Sequence, residues 1–153
     1  MGSNSDWETM KLAMNILHEF NIDLETKIIS AHRTPERLYK YAKNATKKNI
    51  SIIIAGAGGA AHLPGMVSSL TIVPVLAVPI ESKFMNGLDS LLSIVQMPYG
   101  IPTATFAVGS AGAKNAGLFA VTLLAMNDIK LFNRLSNWRS SLSESVKAEP
   151  NDK

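Results

Sequence analysis

Within six residues, Ser30-Ala31-His32-Arg33-Thr34-Pro35 gathers an imidazole, a permanent cation and two hydroxyls. An imidazole can give and take a proton near neutral pH, and a guanidinium can fork onto phosphate oxygens. The stretch follows an apolar, β-branched run at 24–29 that reads as a strand. It opens a helix with Thr34 at the N-cap and Pro35 at the first helical position. Chemistry-bearing groups therefore meet where a strand ends and a helix begins, the edge at which open α/β sheets bind ligands. Free N–H groups at a helix start favour an anion there.

Two further loops add to this. Gly2-Ser3-Asn4-Ser5-Asp6 offers close backbone approach at Gly2, hydroxyls at Ser3 and Ser5, and a carboxylate at Asp6 suited to sugar hydroxyls. The segment from Ala55 to Met66 has eight Gly or Ala among its twelve residues, so a flat ligand could lie against backbone. It lacks the Gly-Lys-Ser/Thr ending of a phosphate loop and the spacing of a dinucleotide fingerprint. It does carry His62. The histidines (18, 32 and 62) are too far apart in sequence for a metal motif, so no metal is expected. Together the loops suit a phosphorylated sugar bearing a small planar base, with His32 as acid and base. Spacing alone does not name a reaction.

These loops need a scaffold, and the pattern supplies one. Ser5 and Glu8 form a capping box before a helix with Trp7, Met10, Met14 and Leu17 on one face. After the strand at 24–29 come a helix over 35–47, a strand over 50–55 ended by Gly56, and a short helix over 63–70. A strand over 73–78, a helix over 88–95, a strand over 103–108 and an alanine-rich helix over 113–126 follow. Repeated βα units predict a parallel sheet with helices on both faces. Asp128 caps a last helix over 128–142, with Phe132, Leu135, Trp138 and Leu142 at helical spacing. The chain thus reads as one domain over 1–142 and a frayed tail over 143–153.

Composition excludes several classes. The 153 residues contain no cysteine, so disulfides, thiolate ligands and a cysteine nucleophile are out. The net charge of +3 includes Lys40, Lys43, Lys47 and Lys48 along one helix, a solvated face rather than a nucleic-acid groove. The apolar stretches 72–80 and 118–126 fall short of the ~20 residues that span a bilayer. The opening residues show no signal-peptide pattern, and the expected location is the cytoplasm. A hydrophobic content of 46% in so short a chain points to apolar surface buried between subunits.

The loops, with Gly87-Leu88-Asp89-Ser90-Leu91-Leu92-Ser93-Ile94-Val95-Gln96-Met97-Pro98 and the glycine-rich stretch 109–115, resemble the signatures of the 5-(carboxyamino)imidazole ribonucleotide mutase family of purine biosynthesis. The resemblance implies a flavodoxin-like three-layer αβα sandwich, a homo-octamer, and no metal or organic cofactor. It implies conversion of 5-(carboxyamino)imidazole ribonucleotide to 4-carboxy-5-aminoimidazole ribonucleotide. By position, Ser3, Ser5, Ser30 and Arg33 would hold phosphate and Asp6 the ribose. His32 would shuttle the proton, and Ala57, Gly58, His62 and Leu63 would line the base and carboxylate pocket. A related branch carboxylates aminoimidazole ribonucleotide directly but carries Lys-Gly where Arg33-Thr34 stand here, which favours the mutase branch. A nonenzymatic nucleotide-binding module on the same fold would need the phosphate loops but not His32.

In the assembly so implied, Phe132, Leu135 and Trp138 are expected to bury against neighbouring subunits. Two departures from the family stand out. Gly117 lies inside a helix where the family usually has alanine, a cost of up to ~1 kcal/mol unless close packing requires it. In the family a strand precedes the Met-Gly-Ser motif and lies centrally in the sheet. The resemblance therefore makes Met1 an internal methionine, with the native protein beginning some residues earlier.

Overall fold

The computed structural model describes residues 1–150. Helices α1 (Trp7–Glu19) and α2 (Pro35–Lys43) precede β1 (Ile53–Gly58), α3 (Leu63–Ser68) and β2 (Val75–Ile80). Then come α4 (Leu88–Val95), β3 (Ala104–Thr105), α5 (Gly109–Ala125) and α6 (Ile129–Ser145). The three-stranded sheet has the order β1-β2-β3, with every pair parallel. Strand β2 is buried along its whole length, as its unbroken apolar sequence requires of a strand covered on both faces.

Helices cover the two faces. On one, Leu38 and Ala42 of α2, Leu63 and Val67 of α3 and Ile94 pack on Ala55, Val75 and Ala77. On the other, Met10 and Ala13 of α1 and Ala113, Ala116 and Ala120 of α5 pack on Leu76 and Val78. This is the three-layer αβα arrangement of a flavodoxin-like chain. Small residues let α1 and α5 approach closely. A Cβ on Gly117 would stand 3.0 Å from both the Ala13 carbonyl oxygen and Ile16 Cβ, so packing explains the helical glycine.

Several elements differ from their expected extents. Pairing in β1 starts at Ile53, whose N–H donates to Pro74 O, and Ile50 N–H closes the preceding turn on Ala45 O. The strand then runs through Gly56 to Gly58, held by the Gly56↔Val78, Ala57↔Pro79 and Gly58↔Ile80 register. Alternation of ladder bonds, rather than side-chain type, decides that end. Strand β2 is likewise shifted to Val75–Ile80, and β3 keeps only Ala104–Thr105. Helix α2 stops at Lys43, and a 3-10 turn over Thr46–Lys48 leads to Asn49 in the left-handed region. Helix α5 begins at Gly109, four residues before its alanine run.

The capping box at the first turn pairs Ser3 with Asp6, not Ser5 with Glu8. Helix α6 continues to Ser145, so the expected tail is helical over its first residues; residues 151–153 lie outside the described part. The stripe of α6 also differs from its expected use. Leu135 is buried in its own chain with Phe20 and Val121, and Trp138 packs against Phe20 and donates Nε1–H to Glu19. Of the three expected interface residues only Phe132 stays exposed.

The largest difference is at 24–29. This segment forms no ladder; its ties to the sheet region run through Met1, whose ammonium donates to Lys27 O while Met1 O accepts from Ile29 N–H. Gly2 N–H in turn donates to Gly56 O. Beyond Met1, a cavity of about 760 Å³ opens between residues 22–29 and 50–55, lined by Met10, Leu24, Ile52 and Ile54. This lane runs along the margin of β1 that faces away from β2. Burial of Met1 depresses its ammonium pKa, with Asp6 opposing that shift. Tyr41, on the same cavity, is pushed up to about 12 by burial and by the Glu25 carboxylate.

Candidate active site

The His32 turn is built by its hydroxyls. Thr34 N–H and Thr34 Oγ1 both donate to Ser30 O, at 2.8 and 2.9 Å, and Thr34 Oγ1 accepts from Ser30 N–H at 3.0 Å. Thr34 is the N-cap residue of α2, as expected, but its side chain locks the turn instead of making a cap bond. Ser30 Oγ accepts from Arg33 N–H at 3.3 Å and from Arg33 Nε at 3.1 Å. This pair of bonds turns the guanidinium back over the start of α2 and leaves the Ser30 hydroxyl hydrogen available to a ligand. Pro35 at the first helical position has no N–H to lose there.

The first loop sits beside it through Met1 and Gly2. Ser3 N–H donates to Asp6 Oδ2 at 2.9 Å, and Ser5 N–H and Ser5 Oγ reach Ser3 Oγ at 3.3 and 3.0 Å. Asp6 is buried, with Ser5 Oγ also directed at its Oδ1 at 3.4 Å. Its carboxylate thus shapes the loop as well as being the expected ribose acceptor.

The third loop brings the second imidazole. His32 Nε2 and His62 Nδ1 lie 3.0 Å apart, with ring planes at 86°. At that separation one nitrogen donates and the other accepts, so the rings share a proton. Both histidines are exposed, whereas His18 lies in the last turn of α1, away from this pair in the fold. No group of three or more His, Cys, Asp or Glu that could hold a metal occurs among the described residues.

The structure thus joins His32 to His62, Ser30 to Arg33, and Ser3 to Ser5 and Asp6. Ala57 and Leu63, expected to line the base and carboxylate pocket, have their side chains buried in the cluster that α2 and α3 share with the sheet. What they can offer a ligand is backbone. Gly58 is exposed at the end of β1. A closed apolar chamber of Ala, Gly and Leu63 around the imidazoles is not formed within the single chain.

Sequence reasoning missed the residues that hold the third loop. Ser90 and Ser93 of α4 bond the two sides of Gly59. The helix was read for its leucines, although two serines at i and i+3 facing a glycine loop were visible in the same stretch.

Comparison with known proteins shows the family. The family model described as AIR carboxylase matches residues 1–145. A Vibrio vulnificus protein named N5-carboxyaminoimidazole ribonucleotide mutase is 54% identical over 151 residues, covering 99% of this chain and 94% of its own. A Saccharolobus solfataricus protein of the same name is 56% identical over 146 residues, covering 95% of this chain and 91% of its own. The crystal structure of Treponema denticola PurE superimposes with a TM-score of 0.83 at 26% identity, covering 94% of this chain and 89% of that one. The chain belongs to the AIR carboxylase family.

Proposed function

We propose that this chain is a mutase that converts 5-(carboxyamino)imidazole ribonucleotide to 4-carboxy-5-aminoimidazole ribonucleotide in purine biosynthesis. The carrying observation is the imidazole pair, His32 Nε2 to His62 Nδ1 at 3.0 Å, beside the Ser30–Arg33 anchor. Relatives more than half identical over nearly the whole chain bear the mutase name.

The chemistry follows from the residues. Arg33, the Ser30, Ser3 and Ser5 hydroxyls and the free N–H groups opening α2 suit the phosphate, and Asp6 suits the ribose hydroxyls. The base would lie along backbone at Ala57, Gly58 and Leu63, with His62 beside it. Substrate nitrogen then replaces His62 Nδ1 as the partner of His32 Nε2. His32 gives its proton to the carbamate nitrogen; the carbon–nitrogen bond pair stays on nitrogen and carbon dioxide leaves. The electron-rich ring carbon bonds the carbon dioxide, and His32 takes back the proton from that carbon. One proton is lent and returned, so the cycle balances without an external reagent or organic cofactor.

Confining carbon dioxide requires a site closed to water, and the imidazoles are open in the single chain. Closure by neighbouring subunits fits the exposed apolar side chains Ile72, Phe84, Tyr99, Met126 and Phe132. A homo-octamer is the assembly this reading carries, with a small-molecule ribonucleotide as ligand and no nucleic acid. Light scattering on the purified protein is expected to give eight chains, and a stable, active monomer would contradict it. No described helix is long and apolar enough to cross a membrane; the reading carries a cytoplasmic location.

Direct carboxylation of aminoimidazole ribonucleotide is less well supported. That branch has glycine at position 34, and glycine could make neither of the Thr34 Oγ1 bonds that close the His32 turn. An ultraviolet assay for mutase turnover decides the matter, with wild type active and His32→Asn inactive. Arg33→Ala should instead weaken ribonucleotide binding about tenfold or more, since a charge-assisted phosphate bond is lost.

A further inference from the structure

The β1–β2 ladder ends in an unusual step. Ile53 N–H donates to Pro74 O, one residue before its partner Val75. Carrying that register forward, Gly59 N–H is the next donor due at the end of the ladder, and Ile80 O is its acceptor. The two do not bond directly. Ser90 Oγ stands between them, accepting from Gly59 N–H at 2.9 Å and donating to Ile80 O at 2.7 Å. Ser90 is fully buried on α4.

One helical turn later, Ser93 Oγ reaches Gly59 O at 3.1 Å, sharing its hydrogen with Asp89 O of its own helix at 2.6 Å. Gly59 has φ +67°, and a Cβ there would meet nothing within 4 Å. Its requirement is therefore conformational, and α4 holds that conformation from both sides. The chain then makes two tight bonds, Ala61 N–H to Gly59 O and His62 N–H to Ala60 O. His62 follows at once, 3.0 Å from His32.

We propose that Ser90 is a positioning residue, whose hydroxyl acts as a spacer in the ladder and so sets the separation of His62 from His32, with Ser93 holding the Gly59 carbonyl. Without the spacer, Gly59 N–H either closes onto Ile80 O or is left unpaired. In both cases the four residues from Gly59 to His62 move as a unit. The site then loses alignment of the imidazoles while its phosphate anchor, carried on a different loop, stays in place. The catalytic consequence rests on the mutase reading above; the geometric one does not.

The experiment uses the full chain as Ser90→Ala and Ser93→Ala. Thermal melting establishes the folded state, ¹⁵N NMR of the imidazoles reads proton sharing, and the ultraviolet assay gives kcat and KM across pH. For Ser90→Ala the expected result is altered ¹⁵N signals of both His32 and His62. A tenfold or larger fall in kcat, a KM within about threefold and a displaced pH profile should accompany it. Ser93→Ala, at a partly exposed position, is expected to give the same pattern at about threefold in kcat and covers the case in which Ser90→Ala does not fold. Imidazole signals unchanged in the folded variants would overturn the proposal, as would a kcat within twofold of wild type with an unshifted pH profile. If wild type shows no turnover, the mutase reading fails and the imidazole signals still decide the spacer.

Discussion

The two margins of β1 are built in opposite ways. Toward β2, every residue from Ile53 to Gly58 has a partner, and Ser90 bridges the step beyond. On the other margin the contact near the motif is Gly2 N–H to Gly56 O, and a cavity of about 760 Å³ separates the rest from residues 22–29. Yet the functional loops are closed on both sides: Thr34 locks one, Ser90 and Ser93 the other. The difference teaches that site geometry is set by hydroxyl bonds to the loops themselves, from Thr34 inside one and from Ser90 and Ser93 of α4 onto the other. Pairing of the sheet is a separate matter, and it is sparsest where the lane is open.

Filling that lane should have the largest effect on stability. Ile54 and Ile52 alternate with the β2-bonded residues, so their N–H and C=O groups face the cavity side. An extension of five Val and Ile residues joined to Met1 could pair with both rims. Several ladder bonds at net ~1 kcal/mol each and apolar burial at ~25 cal/mol per Å² are offset by ~1–2 kcal/mol of backbone entropy per ordered residue. A net gain of about 2–4 kcal/mol, or roughly 5–15 °C in Tm, is expected. An extension of equal length containing proline should give none of it. Equal melting of the two fusions would remove the distinction between the margins.

A smaller effect is expected at the closed α1–α5 interface. Helix propensity alone predicts that Gly117→Ala stabilises by about 1 kcal/mol. The 3.0 Å approach to Ala13 O and Ile16 Cβ reverses the sign, and overpacking should cost about 1–2 kcal/mol net. Chemical denaturation of the two proteins checks this, with a more stable variant contradicting the packing account.

Smallest, in a protein that starts at Met1, is the effect of the Met1 charge. Its ammonium pKa is depressed by burial, so in the window below the ordinary value of 8.0 the unfolded chain binds more protons than the folded one. Stability from this group therefore rises as pH climbs through that window and is lost as pH falls. Acetylating Met1 should remove this dependence and raise Tm near pH 6 more than near pH 9. An identical shift at both values would show that the ammonium is not desolvated.

Much of this was legible before the structure. The βα alternation, both helical faces and the three loops follow from apolar periodicity and turn chemistry. Strand ends did not, because register and hydrogen-bond alternation carry β1 through Gly56, Ala57 and Gly58 although two of the three are glycine. The strand at 24–29 was misread for a related reason: its β-branched residues favour a strand, but a ladder needs a neighbour. The place of Thr34 before Pro35 correctly marks the N-cap, whereas the use of its hydroxyl on Ser30 within the same turn is not visible in that spacing. Leu63 enters the expected pocket only through the resemblance, and its burial at the start of α3 is not visible in the loop's spacing. The α6 stripe was read as an interface, although Phe20 and Val121 offered it a surface within the chain.

The central claim is that His32, paired with His62, carries the proton in a carboxyl transfer. It is tested most directly by measuring turnover and ribonucleotide affinity together in His32→Asn. The account predicts loss of turnover by ~10²-fold or more, the scale of general acid–base catalysis, with affinity held within about tenfold, roughly 1.4 kcal/mol. Full turnover in His32→Asn, at unchanged affinity, would contradict it.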